Sequence, residues 1–399
     1  RSIPSWHALT VAYADPSSSN DSNAVQDSQG NDAADLSSTS VTNNSTVQII
    51  QRGSDIDGEA ANDVFGTCVS ISADGSVVAI GADGNDSNGN LAGHVRIYQW
   101  DSGSSSWSKL GGDIEGEAAG DQCHTVSISG DGTVLAVGAH KNDGNGNQSG
   151  HTRLYKWDGS SWNQLGSDID GEAAGDYSGI ALNLSNDGTT VAIGATDNDG
   201  NGNKSGHTRI YEWDGSSWNK LGSDIDGEAA GDESGVSVSL SSDGSTVAIG
   251  AINNDGNGNQ SGHTRIYKWD GSSWNKLGSD IDGESANDHS GNWVSLSGDG
   301  TIIAIGADQD GTGSGLPGSV RIYQWNGSAW NQVGSDLDGE AANDNFGHSV
   351  SLSNDGSTVA IGGLRNDGNG TNAGHVRVFS LADTTAPTFS SAATSTDGT

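Results

Sequence analysis

The carboxylates of this chain that could do chemistry come in a nearly fixed phrase, D-I-D-G-E-A-A-x-D. Its copies supply Asp55, Asp57, Glu59 and Asp63; Asp113, Glu115, Glu117 and Asp121; Asp168, Asp170, Glu172 and Asp176. Three more copies supply Asp224, Asp226, Glu228 and Asp232; Asp280, Asp282, Glu284 and Asp288; Asp336, Asp338, Glu340 and Asp344. Oxygen ligands alternating along a turn, with a glycine among them, suit a hard cation such as Ca²⁺. A bound cation would also offset the repulsion between crowded carboxylates. The competing reading is a solvated turn between structural units, closed by Asx-type caps. A second phrase, N-D-G-N-G-N, alternates Asp199, Asn201 and Asn203, or Asp255, Asn257 and Asn259. It could also hold calcium, but it reads first as a β-turn loop. The fifth unit carries Asp308 and Asp310 there and lacks the asparagine pair.

Other recurring residues read as structural. His94, His151, His207, His263 and His375 recur at one position, with arginines such as Arg209 and Arg265 two places on. Each arginine is expected to pair with a repeated acid. Ten tryptophans stand in W-x-G-x-x-W-like hairpins, as at Trp213 and Trp218. Packing between units is their first reading and stacking on sugar rings the second. Asn147, Asn203 and Asn259 begin N-x-S triplets, a pattern that Asn/Ser-rich loops produce by chance. Neither a G-x-S-x-G elbow, nor H-E-x-x-H, nor a phosphate loop occurs. An active site needs unlike residues placed asymmetrically, whereas this chain repeats the same ones, so no enzyme is expected. Paired carboxylates abound, but none is singled out as a glycosidase would require. Cys68 and Cys123 are too few for a disulfide framework and lack zinc-finger spacing.

The elements that position these residues follow from the repeat. The first aspartate of the phrase recurs at 55, 113, 168, 224, 280 and 336, so the spacings by subtraction are 58, 55, 56, 56 and 56. Such a period means stacked supersecondary units. In the fourth unit, Val236–Ser241 alternates apolar and polar, and S-D-G-S turns the chain. Thr246–Ala251 is continuously apolar and β-branched, as a strand buried on both faces would be. His263–Trp269 is a third strand, Asp270-Gly271 a hairpin turn, and Trp274–Ile281 a fourth strand. Four antiparallel strands in 56 residues make one propeller blade. The fold class is therefore all-β, a six-bladed β-propeller. The last unit stops after its third strand, and Val47–Gln51 is expected to supply the fourth and close the ring. Because strands alternate direction, the loops after the second and fourth strands should share one face. That face would gather about 24 of the 52 acids.

Composition fits this reading. The chain has 399 residues, a formal net charge of −36 and 62 glycines. Phosphate binding needs clustered cations, so nucleic acid is not expected as a partner. No apolar run reaches the length of a membrane span, so membrane insertion is not expected. The chain holds no Met and reads as a processed product or part of something longer.

Phe65-Gly66, Val69–Gly75, Val78–Ala82 and Gly93–Tyr98, with Phe346-Gly347 in the last unit, resemble the FG-GAP repeat. That repeat builds the propeller of integrin α-subunits and of many bacterial surface proteins. The resemblance implies a non-enzymatic, secreted or cell-surface adhesive module spanning 47–382, with surface proteins or glycans as partners. A carbohydrate-binding propeller is the alternative. FG-GAP blades often carry a D-x-D-x-D calcium loop between the first two strands, but here it is reduced to Ser-x-Asp-Gly, as at Asp187-Gly188 and Asp243-Gly244. Calcium is expected instead at the acidic phrase. Residues 1–46, with Val11–Pro16 and Asn23–Asp27, resemble the end of an Ig-like repeat of giant cyanobacterial surface proteins. Residues 383–399, opening at Asp383–Phe389, resemble the start of the next.

Overall fold

The runs T-V-A-I-G-A and their equivalents become the buried second strand of each blade because β-branched residues fit a pleated surface covered on both sides. A computed structural model describes residues 51–308, 315–368 and 371–381, and the backbone of two short strands nearer the start. Those two, Leu9–Tyr13 and Leu36–Val41, pair antiparallel within the unit Arg1–Ser54. The resemblance of 1–46 and 383–399 to Ig-like repeats otherwise falls outside the described residues. So does most of Val47–Gln51.

The rest is a six-bladed, all-β propeller. In the fourth blade, Ser234–Leu240, Thr246–Ala251, His263–Trp269 and Trp274–Lys276 pair in that order, all antiparallel. The expected single fourth strand is in fact two. Ile281–Asp282 returns to pair with the start of the third strand, His263 opposite Asp282. The break is at Gly278, whose φ is +85° and whose Cβ, if present, would lie 2.9 Å from the Trp325 ring of the next blade. Blades one to five share this five-piece sheet, and the sixth shows three strands, Phe346–Leu352, Thr358–Gly363 and His375–Ser380.

Adjacent blades are joined through the first strand, which is the bare edge of its sheet. Its outward N–H groups find partners on the preceding blade's first strand. Ile128 N donates to Ser70 Oγ (3.0 Å), Leu184 N to Ser127 Oγ (3.0 Å) and Leu240 N to Asn183 Oδ1 (2.8 Å). Leu296 N donates to Ser239 Oγ (3.0 Å) and Leu352 N to Ser295 Oγ (2.9 Å). The turns after these strands are linked by a second series, Ala73 N to Gly130 O, Gly130 N to Asn186 O, Asn186 N to Ser242 O, Ser242 N to Gly298 O and Gly298 N to Asn354 O. Leu, Ile and Val fill the space between blades, as in the cluster of Ile210, Val238, Leu240, Val247 and Ile249.

The tryptophans join the same interfaces. Trp218 Nε1 donates to Leu165 O, Trp274 Nε1 to Leu221 O and Trp330 Nε1 to Leu277 O, each at 2.8 Å and each on the preceding blade. Each stacks at a tilt on its hairpin partner, as Trp213 does on Trp218 at 5.5 Å. Packing between blades is therefore what these rings do.

The segment expected to close the ring, Val47–Gln51, falls almost wholly outside the described residues. Val69 and Ile71 of the first blade are 57% and 56% exposed, and Val376 and Val378 of the last are 69% and 64% exposed. Their counterparts Val126 and Ile128, and Val320 and Ile322, are buried between blades. Among the described residues, each side of the seam between the sixth and first blades shows the apolar face that its counterparts cover. Leu240→Ala should therefore cost about 2–4 kcal/mol, whereas Ile71→Ala, at the equivalent position, should cost less than about 1 kcal/mol. Chemical denaturation of both variants checks this. Equal losses would mean that the seam is shut in solution.

Candidate metal centres

Strand alternation brings the two acidic phrases together, as expected. Asn201 Nδ2, in the loop after a second strand, donates to Gly227 O and Glu228 O in the following phrase, both at 2.9 Å. Asn145 and Asn257 hold Glu172 and Glu284 in the same way. The N-D-G-N-G-N phrase is occupied as a turn. Asp199 Oδ1 accepts from Lys204 N (2.8 Å), and Asp255 Oδ1 from Gln260 N (2.7 Å). The Ser-x-Asp-Gly aspartates are likewise engaged, since Asp243 Oδ1 accepts from Ser241 Oγ and from Ser245 N.

The four acids of one phrase take separate positions. The last is buried and capped: Asp176 Oδ2 accepts from Ala173 N (2.9 Å) and Asn198 Nδ2 (3.0 Å). Asp121 and Asp232 are held by the same partners, and Asp63 and Asp344 repeat them. Asp288 takes the N–H groups of Glu284 and Ser285. The second acid lies in the short returning strand, where its carbonyl matters more than its carboxylate. Asp170 O accepts from Arg209 (2.7 Å), Asp226 O from Arg265 (2.6 Å), Asp282 O from Arg321 and Asp338 O from Arg377. Glu115 O takes Arg153 in the same way. Burial and then the adjacent Asp224 raise the Asp226 carboxyl above its ordinary range, and burial and Asp280 do the same to Asp282.

The first and third acids converge, but across successive phrases. Each meets the other at the histidine that opens the third strand. The groups are Glu59, His94 and Asp113; Glu117, His151 and Asp168; Glu172, His207 and Asp224; Glu228, His263 and Asp280. In each, one ligand atom per residue lies within 4.8 Å of the others, and each histidine is 1% exposed. These four groups could hold a metal ion. They were missed in the sequence because each phrase was read alone. The signal was present, since in the third and fourth groups the histidine falls 35 residues after the glutamate and 17 before the aspartate.

The arginine two places on pairs with the glutamate, as expected. Arg153 lies 3.4 Å from Glu117, and Arg209 and Arg265 lie 3.8 Å from Glu172 and Glu228. Arg96 meets Glu59 and Asp113. Arg209 also lies over the Tyr211 ring at 5.7 Å. Lys109 and Lys220 hold Asp113 and Asp224 at 2.6 and 2.7 Å. Cys68 and Cys123 are free thiols, and burial pushes Cys123 up to about 12.

Burial, followed by the neighbouring arginine, pushes His207 and His263 down to about 4. His151 moves the same way. The unfolded chain therefore binds protons at His207 and His263, from about pH 6.5 downward, that the folded chain refuses until about pH 4. Their contribution to stability is complete above pH 6.5 and is lost as pH falls through that window. Metal-free protein should show this loss in urea titrations between pH 7 and 4, and His207→Gln should flatten the curve by up to about 3 kcal/mol. A profile unchanged by His207→Gln would contradict the assignment.

No curated protein matches the chain. Among solved structures, a putative 6-phosphogluconolactonase from Bacteroides uniformis is similar at 12% identity and a TM-score of 0.51, over 86% of both chains. A complex of KlAtg21 with the coiled coil of AgAtg16 is similar at 11% identity and a TM-score of 0.51, over 80% of this chain and 81% of that one. At such identities the likeness speaks for the fold alone. The FG-GAP repeat model matches residues 336–379, the sixth unit. The other five units carry the same order of residues, so the chain is a β-propeller of six units of the kind that the FG-GAP repeat model matches in the last.

Proposed function

We propose that this propeller is a non-enzymatic, extracellular structural or adhesive module of a large cell-surface protein, with its acidic loop face neutralised by calcium. One observation carries the reading. The same polar residues do the same structural work in blade after blade, with the arginine on a carbonyl, the last aspartate as a cap and the tryptophan on the preceding blade. Repeating one arrangement from blade to blade suits a scaffold. Catalysis would need one blade to differ in a way that assembles unlike groups at one point. The likeness to a lactonase is a likeness of fold at 12% identity and brings no chemistry with it.

Calcium would act on the carboxylates that remain exposed on the loop face, among them Asp170, Asp226 and Asp282. Asp226 crowds Asp224, and a dication between such groups lowers their mutual repulsion. Millimolar calcium occupies weak extracellular sites of this kind. Calcium should raise the melting temperature of metal-free protein by at least about 3 °C beyond sodium at matched ionic strength. Asp226→Asn should shrink that difference. If sodium serves equally well, the face is only screened and calcium has no part in it.

A second reading has one observation behind it. Three equivalent grooves present an aromatic pair above two acids, formed by Asp168, Asp170, Tyr211 and Trp218 in one blade and repeated at Asp224–Trp274 and Asp280–Trp330. Aromatic faces beside carboxylates suit a sugar ring. A glycan array separates the two readings. Specific binding abolished by Trp218→Ala together with Trp274→Ala would favour the lectin.

A further inference from the structure

We infer that the four Glu–His–Asp groups are binding sites for a transition-metal dication of the zinc class, each placed to staple one blade to the next. This rests on the reading of the propeller as a cation-stabilised scaffold and names a different ion and a different site from the calcium-binding rim.

The donor set decides the class of ion. Each site offers one imidazole nitrogen and two carboxylates, a mixed set that suits zinc and its neighbours, with water completing the shell. Calcium seeks six to eight oxygens and gains little from imidazole. The spacing agrees. His207 Nδ1 stands 3.9 Å from Glu172 Oε2, His263 Nδ1 3.9 Å from Glu228 Oε2, and His151 Nδ1 3.9 Å from both Glu117 Oε2 and Asp168 Oδ2. These distances are beyond hydrogen bonding. Ligands held about 2.0–2.2 Å from one ion lie about 3–4 Å from one another.

The first histidine points to a missing partner. All four are 1% exposed, and His94 Nδ1 is buried with no hydrogen bond, whereas His151, His207 and His263 turn Nδ1 to the carboxylates at 3.9 Å, beyond hydrogen-bond reach. Buried imidazoles seldom forgo their hydrogen bonds without reason.

The carboxylates are also oriented for the task. Glu172 turns Oε1 to Arg209 and Oε2 to His207, and Glu228 divides its oxygens between Arg265 and His263 in the same way. Asp168 gives Oδ1 to Gln164 and Oδ2 to His151. One oxygen of each is thus fixed by an outer partner while the other faces the histidine, the arrangement by which outer-shell groups orient metal ligands. Glu172 follows directly on the short strand Ile169–Asp170, which belongs to one blade's sheet, whereas His207 and Asp224 belong to the next. An ion here would tie the two together.

The repeat contains its own control. The fifth blade has Ser319 where the others have histidine, while Glu284 and Asp336 stand at the positions equivalent to the other glutamates and aspartates. Histidine at 319 would complete a fifth site.

The test is titration of the full, metal-free chain with Co²⁺, read by its visible d–d band, and with Zn²⁺, read by calorimetry. About four equivalents should bind, with Ca²⁺ at tenfold excess failing to displace them. His207→Gln should lower the count by one, and Ser319→His should raise it by one. Should His207→Gln fail to fold, Glu172→Gln, at a side chain 44% exposed, should also lower the count by one. No cobalt band, or counts unmoved by the folded variants, would overturn the inference. Stabilisation by calcium without a cobalt band would leave the proposed scaffold standing and remove these sites. A cobalt band without stabilisation by calcium would support the sites and remove only the calcium rim.

Discussion

The structure depends on how the exposed edge of each blade's first strand is satisfied. An unpaired strand edge buried against a neighbour leaves orphaned N–H groups, each costing about 1–3 kcal/mol. Here the preceding blade offers a side-chain oxygen at each such position, Ser70, Ser127, Asn183, Ser239 and Ser295. The serine is small enough to let Leu, Ile and Val of both blades meet beside it. Any propeller angle that broke these bonds would also open the apolar contact, so one small side chain fixes both the spacing and the tilt of neighbouring blades.

Much of this was legible in the sequence, because period and alternation report strand and blade directly. Thr246–Ala251 and His263–Trp269 have the bounds that their apolar runs imply. The division of the fourth strand was not legible, because Gly278 and Gly222 look like any other glycine in a glycine-rich chain. Their role depends on a tryptophan of the next blade approaching within about 3 Å of where a Cβ would stand. The candidate metal groups were hidden for a related reason. A phrase of four acids suggests that they act together. In three dimensions Asp176 turns inward to cap a loop, while Glu172 reaches for a histidine 35 residues further on. Local spacing reports which residues share a turn, but convergence across a blade is set by sheet register, such as His207 opposite Asp226.

The electrostatics follow the same division of labour. A chain of net charge −36 does not carry 52 independent carboxylates. The Ser-x-Asp-Gly aspartates sit below the ordinary carboxylate range because serine hydroxyls and backbone N–H groups bond to them, despite some burial. The buried caps are matched by asparagine and backbone donors. The first and third acids of successive phrases meet beside an arginine or a lysine, as Glu172 does Arg209 and Asp224 does Lys220, and the exposed second acids, such as Asp226, have only a neighbouring acid close by.

The exposed apolar faces at the seam bear on how the propeller would respond to force. In a closed ring every blade has two neighbours, and pulling on the chain must break the circle before any blade can leave. Among the described residues the first and last blades have one neighbour each, with Val69 and Ile71 exposed at one end and Val376 and Val378 at the other. Stability in such arrays is close to a sum over nearest-neighbour interfaces. A chain anchored at both ends would therefore lengthen by shedding terminal blades one after another, each release paying out a similar length of polypeptide at a similar force. A module that came apart in this way would act as a graded shock absorber rather than a rigid bead.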